Sequence, residues 1–195
     1  RFPEVLTHAL ADRAIRVIVI QSSTPGIFCA GADIAELMTH KASTMWREAN
    51  QAAIYKTQYE LARAGKPTIA FIDGDCVGGG CGIALACDIV IAAKSAKFIQ
   101  SFANIGLIPD SGGTWTLPRL AGQARALGFA LTGEPLTAER AEAWGMIWKC
   151  VDDDKLREEV DALAAKFASA PTRGLALTKK LIRESGARAL EAQLD

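Results

Sequence analysis

Three short stretches of this chain hold residue types that could do chemistry. The first is Phe28-Cys29-Ala30-Gly31-Ala32-Asp33-Ile34, where small residues follow a β-branched run and precede a helical segment. Small side chains let another molecule approach the backbone and its N–H groups. The same stretch also reads as a tight turn in which Asp33 caps the next helix. The second is Asp75-Cys76-Val77-Gly78-Gly79-Gly80-Cys81-Gly82, where three consecutive glycines lead into small apolar residues. A helix start carries unpaired N–H groups and partial positive charge, and glycine lets an anionic oxygen come close. A close-packed helix start would look the same. Taken together, two sets of converging N–H donors could form an oxyanion hole, which stabilises a carbonyl oxygen as negative charge develops on it. The third is Asp110, a lone carboxylate before Ser111-Gly112-Gly113. It reads either as a proton carrier or as a helix cap.

These residues need elements to position them. Arg16–Ile20, Thr68–Ile72 and Asp88–Ala92 are short continuous apolar runs of the kind that form buried strands. Lys97–Ile99 and Ile147–Val151 are further strand candidates. Helices are expected over Thr44–Ala64, Gly79–Cys87, Ala121–Leu131 and Thr137–Trp144. Beyond them, Leu156, Val160, Leu163, Ala164 and Phe167 recur on one helix face, and Pro171 opens another helix. Alternating strands and helices imply an α/β class with both strand faces covered. The simplest division is a core over 1–150 and the start of a helical region over 151–195. No repeat at a fixed period is visible.

Composition sets limits on function. The chain has 195 residues, half of them hydrophobic, with 22 basic and 22 acidic side chains. Zero net charge and the lack of a basic stripe argue against nucleic acid as a partner. No apolar run reaches the roughly 20 residues of a membrane span. The five cysteines, Cys29, Cys76, Cys81, Cys87 and Cys150, form no C-x-x-C pair. Reduced thiols in a cytoplasmic setting are therefore expected, with no metal site. His8, His40, Glu134, Glu139 and Glu142 are read as surface residues, Lys179 and Lys180 as an exposed helix face, and Trp144 and Trp148 as core or interface aromatics.

Phe28–Ile34, Gly78-Gly79-Gly80 and Cys87-Asp88-Ile89-Val90-Ile91-Ala92, in this order, resemble the enoyl-CoA hydratase/isomerase (crotonase) superfamily. Gly106–Trp115 and Ala143–Trp148, followed by Val151-Asp152-Asp153, resemble its branch that isomerises a ring-epoxide phenylacetyl-CoA. The resemblance implies a crotonase-type ββα spiral with a helical C-terminal region, an acyl-CoA thioester substrate and no cofactor beyond the coenzyme A of that substrate. It implies an oxyanion hole from the N–H groups of Ala32 and Gly79. The backbone from Ala30 to Ile34, with Gly31 and Asp33, would receive coenzyme A, and Gly78, Gly80, Phe102 and Pro109 would be further substrate-binding residues. A homotrimer or dimer of trimers is implied, as are further strands before Arg1 and helices after Asp195.

Two glutamates serve the family's hydratases, and their places here hold Gly82 and Phe102. Neither can move a proton, which leaves Asp110 as acid and base for an isomerase, with Phe102, Ile108 and Trp115 as apolar surroundings. The readings set against this are a hydratase with atypical residues, a dehalogenase with a nucleophilic aspartate, and a non-catalytic scaffold that binds coenzyme A or RNA.

Overall fold

The computed structural model describes residues 2–39 and 43–194. His40 lies outside them. The chain opens with α1 (Phe2–Ala11), which precedes β1 (Ile18–Ile20) and β2 (Ile27–Cys29). Two helices follow, α2 (Ile34–Thr39) and α3 (Thr44–Arg63). The next turn of the chain is β3 (Thr68–Ile72), β4 (Asp75–Val77) and α4 (Gly79–Ala86). After it come β5 (Ile89–Ala93), β6 (Lys97–Ile99), α5 (Gly113–Ala121) and α6 (Gln123–Thr132). Then follow β7 (Leu136–Thr137), α7 (Ala138–Ala143) and β8 (Lys149–Val151). The C-terminal part is helical: α8 (Leu156–Ser169), α9 (Thr172–Ser185) and α10 (Leu190–Leu194).

Strands β1 to β6 alternate between two sheets. One has the order β1-β3-β5-β8 and is parallel throughout. The other has the order β2-β4-β6-β7, parallel except for β7. Each of the first three passes thus adds one strand to each sheet before a helical return, which is the expected ββα spiral, and the last pass places α7 between β7 and β8. The returns differ in length, since α2 and α3 fill one and the short α4 fills the next. That is why no fixed period is visible in the sequence.

The strands of the first sheet are covered on both faces, as continuous apolar runs require. Ala70, Ile72, Val90 and Ala92 point to the main core. Their neighbours Ile69, Phe71, Ile91 and Ala93 point the other way, to Leu156 and Val160 of α8, with Leu163, Ala164 and Phe167 beside them. The apolar stripe read along α8 is therefore what seals the outer face of this sheet.

Some expectations need correction. The run from Arg16 becomes a strand only at Ile18, because the Arg16 guanidinium turns away to Thr172 Oγ1 at 3.0 Å and the Ala170 carbonyl. The late strand starts at Lys149 rather than Ile147. The helix expected over Ala121–Leu131 is α6, which starts at Gln123, and Gly122 separates it from α5, which carries Pro118 inside. Helix α1 was not foreseen; its end is held by Lys66, whose Nζ donates to the Ala9 and Asp12 carbonyls at 2.9 and 2.8 Å. A cation on the last carbonyls of a helix satisfies groups that have no partner within it.

Lys179 is the clearest correction. It is not on an exposed face; its side chain is 9% exposed and lies 2.9 Å from Asp88 Oδ2. Asp88 Oδ1 pairs with Arg183 at 3.0 Å, and Thr68 donates to Oδ2 from both its N–H and its hydroxyl. Burial lowers the Lys179 pKa, and the Asp88 charge opposes that shift. This cluster ties α9 to the starts of β3 and β5. Removing one partner of a buried pair leaves an uncompensated charge. Asp88→Ala should therefore cost roughly 3–5 kcal/mol of stability, measurable by urea denaturation as a lower midpoint.

Candidate active site

Strands β2, β4 and β6 run parallel and side by side, so their C-terminal ends reach one edge of the sheet. Three chain segments leave from that edge. The segment after β2 holds Ala30, Gly31, Ala32 and Asp33. The one after β4 is Gly78 and the start of α4. The one after β6 is a 3-10 turn over Ser101–Ile105, leading to Asp110 and α5.

The first two segments touch. A methyl group built on Gly31 would stand 3.1 Å from the Val77 carbonyl oxygen and 3.7 Å from the Gly79 nitrogen. One built on Gly80 would fall 2.5 Å from the Cys29 carbonyl oxygen, so that residue serves close packing. Gly78 caps α4 with φ 53° and offers no side-chain acceptor. The first N–H groups of α4 therefore keep their donor capacity at the helix start. Ala30, Ala32 and Asp33 are exposed and Gly31 is half-buried. The Asp33 carboxylate caps α2, accepting from Ala35 N at 2.9 Å and Glu36 N at 3.1 Å. The capping reading of Asp33 is thus the observed one, and only its backbone remains for another partner. Ile34 is the first residue of α2.

The third segment closes over the helix start. The Phe102 ring is buried and lies 3.4 Å from where a methyl on Gly78 would be. Asp110 Oδ1 is 4.0 Å from the corresponding point on Gly79, and Ser111 Oγ is 3.2 Å from it. Asp110 is not a helix cap. The N-cap of α5 is Gly112, without a side-chain bond, and Asp110 contributes only its backbone carbonyl to Gly113 N at 2.9 Å. Its Oδ1 is buried and has no hydrogen-bond partner among the described residues. An acceptor in that state is costly unless water or a ligand binds there. Ser111 has φ 54°, the one positive value outside glycine among the described residues.

Beside these groups is a cavity of about 550 Å³. Pro109, Asp110 and Ser111 line one side, and Gln58, Tyr55 and Tyr59 of α3 line the other. Ala32, Gly79 and Phe102 lie outside this lining. Ile108 and Trp115 reach it but are 78% and 54% exposed, so they do not enclose Asp110 as expected. The Arg119 guanidinium lies over the Trp115 ring at 4.1 Å. His8, Glu134, Glu139, Glu142 and Lys180 are exposed. Trp144 packs edge-on to Phe129, and Trp148 is exposed.

Gln58 and Ser111 were not foreseen. Gln58 is 9% exposed and Ser111 3%, yet Gln58 Nε2 and Ser111 Oγ have no partner among the described residues. One signal could have found Gln58. Ile54, Thr57, Gln58 and Leu61 recur at the spacing of one helix face, so a polar residue on that stripe turns inward.

Gly82 lines the same cavity, and its Cα faces both unforeseen residues. A methyl group there would meet Gln58 Nε2 and the Ser111 carbonyl oxygen, each at 2.5 Å. The place that holds a glutamate in the resembling hydratases is therefore filled by an amide and a backbone carbonyl.

A family model described as enoyl-CoA hydratase/isomerase matches residues 2–195. The chain belongs to the enoyl-CoA hydratase/isomerase family. Members of this family act on acyl-CoA thioesters. The chain is 42% identical to the 1,2-epoxyphenylacetyl-CoA isomerase of Escherichia coli (strain K12), over 98% of this chain and 74% of that protein. It is 32% identical to a 4-chlorobenzoyl coenzyme A dehalogenase of an Arthrobacter species, over 97% of this chain and 69% of that one. Its fold superposes on an enoyl-CoA hydratase from Polaromonas sp. JS666 with TM-score 0.92 at 30% identity, covering 98% of this chain and 75% of that one. The crotonase fold is thus established, while the relatives carry three different reactions. No helix among the described residues is long and apolar enough to cross a membrane.

The contact at Gly82 yields a prediction. Because one neighbour is backbone, Gly82→Ala must shift the Ser111 segment, and overpacking of this kind costs about 1–3 kcal/mol. Thermal unfolding of the variant should show a clearly lower Tm.

Proposed function

We propose that the protein is an acyl-CoA isomerase that uses Asp110 as its one acid and base. The observation that carries this reading is the buried, unpartnered Asp110 Oδ1 beside the start of α4. The thioester carbonyl binds the N–H groups of Ala32 and Gly79, and the backbone from Ala30 to Ile34 receives coenzyme A. Asp110 takes a proton from the carbon next to the carbonyl. The electron pair moves into a dienolate, whose oxygen the two N–H groups hold. Asp110 then returns the proton two carbons further along, and the double bond ends conjugated with the thioester. Atoms and charge balance without water and without a further cofactor. For a ring-epoxide thioester the same carboxylate serves the rearrangement of the ring.

Gly82 and Phe102 support isomerisation over hydration. Adding water asks for a positioned base and acid, and these two places offer a hydrogen atom and a buried ring. A nucleophilic role for Asp110, as a dehalogenase would need, asks for an activating base beside it, and His8 sits on α1, exposed to solvent.

The test compares wild type with Asp110→Asn, offering a 3-enoyl-CoA and following the conjugated product by ultraviolet absorbance. General acid–base catalysis is worth about 10²–10⁴ in rate. The variant should lose isomerisation by a factor in that range, and neither protein should hydrate a 2-enoyl-CoA appreciably. Hydration that survives Asp110→Asn would overturn the reading.

A further inference from the structure

Two neutral donors at the cavity have no part in the proton transfer. Gln58 Nε2 and Ser111 Oγ are buried, line the cavity and lack partners among the described residues. Leaving such groups unpaired costs about 1–3 kcal/mol each. They are neighbours, because both crowd the same side of Gly82: Gln58 Nε2 at 2.5 Å and Ser111 Cβ at 2.6 Å from a methyl built there. Ser111 Oγ also reaches to 3.2 Å from the corresponding point on Gly79, next to Asp110 Oδ1. Ser111 is held with φ 54°, a conformation that costs a non-glycine residue free energy and tends to persist at functional sites.

The chemistry of the pair is specific. An amide N–H and a hydroxyl do not ionise in the working range, so they move no proton for the reaction. They present hydrogens to a neutral oxygen. A hydrocarbon acyl chain has no atom to accept them, so both would stay unpaired in the bound state. An acyl group that carries an ether or epoxide oxygen would satisfy them.

We propose that Gln58 and Ser111 bind an oxygen atom on the acyl group, so that the site selects oxygenated ring thioesters over plain hydrocarbon ones. This rests on the acyl-CoA reading above and deepens it. Sites built to hydrogen-bond a ligand reject the analogue that lacks the bonding atom, because their own polar groups are then left buried and unpaired.

The test uses two ligands that cannot isomerise, having neither a double bond nor a leaving group β to the thioester: tetrahydropyran-3-ylacetyl-CoA and cyclohexylacetyl-CoA. Their rings have the same size and differ in one oxygen. Calorimetric Kd values are measured for wild type, Gln58→Leu and Ser111→Gly. Wild type should prefer the oxygen-containing ring by about tenfold, a typical worth of one neutral hydrogen bond. Each variant should narrow that preference to about threefold or less. Equal Kd values in wild type, or a preference that both variants retain, would overturn the proposal. Equal weakening of both ligands retains the preference and counts against it. Ser111→Gly keeps the test valid if Gln58→Leu fails to fold, since glycine adopts positive φ without strain. No step of this measurement needs Asp110 to act, so its failure is distinct from failure of the isomerase reading.

Discussion

The parallel pairing of β2, β4 and β6 is the constraint on which the site depends. Parallel strands send their chain ends to the same edge of a sheet, and each end here leads into a different kind of segment. One brings the small residues from Ala30 to Ala32, one the uncapped start of α4, and one the loop that carries Asp110. No single segment holds all the chemistry. The packing between them is close, backbone against backbone at Gly31, Gly80 and Gly82. A site assembled this way is rigid because moving one part would push another.

That closeness also decides which chemistry is possible. A fold that holds its oxyanion donors fixed can change reaction by changing what stands opposite them. The family relatives, an isomerase, a dehalogenase and a hydratase, share the scaffold while their names record different reactions. In this chain the space beyond Gly82 is taken by Gln58 and Ser111, and the space beyond Gly78 by the Phe102 ring. The carboxylate left at the α4 start is Asp110. The Asp88 cluster, whose Arg183 also lines the cavity, fixes α9 against the body of the fold, so that the ends of α3 and α4 are held as well.

What was legible in the sequence follows from how local each signal is. Thr68–Ile72 reads as a strand because it is β-branched, continuous and buried on both faces. The α8 stripe reads as a helix face because it packs on one flat sheet. Strand β4 is three residues, Asp75-Cys76-Val77, and its signal merges with the glycines that follow. Helix α5 was obscured by Pro118 and by glycines at both ends. Lys179 looks like any surface lysine until Asp88, 91 places earlier in the sequence, is seen beside it. Gln58 sits on a long polar helix whose inward side is weakly marked. Asp110 could be found as a candidate, but only the three-dimensional arrangement separates a carboxylate that caps a helix from one with a free, buried oxygen.

In the proposed reaction one carboxylate carries one proton between two carbons of the acyl group. The most direct measurement follows a 3-enoyl-CoA deuterated at the carbon next to the carbonyl, converted in ordinary water and analysed by mass spectrometry. Most of the product should keep the transferred deuterium two carbons away. Product that has lost that deuterium entirely to solvent would contradict it, since the proton would then travel through water or a second base.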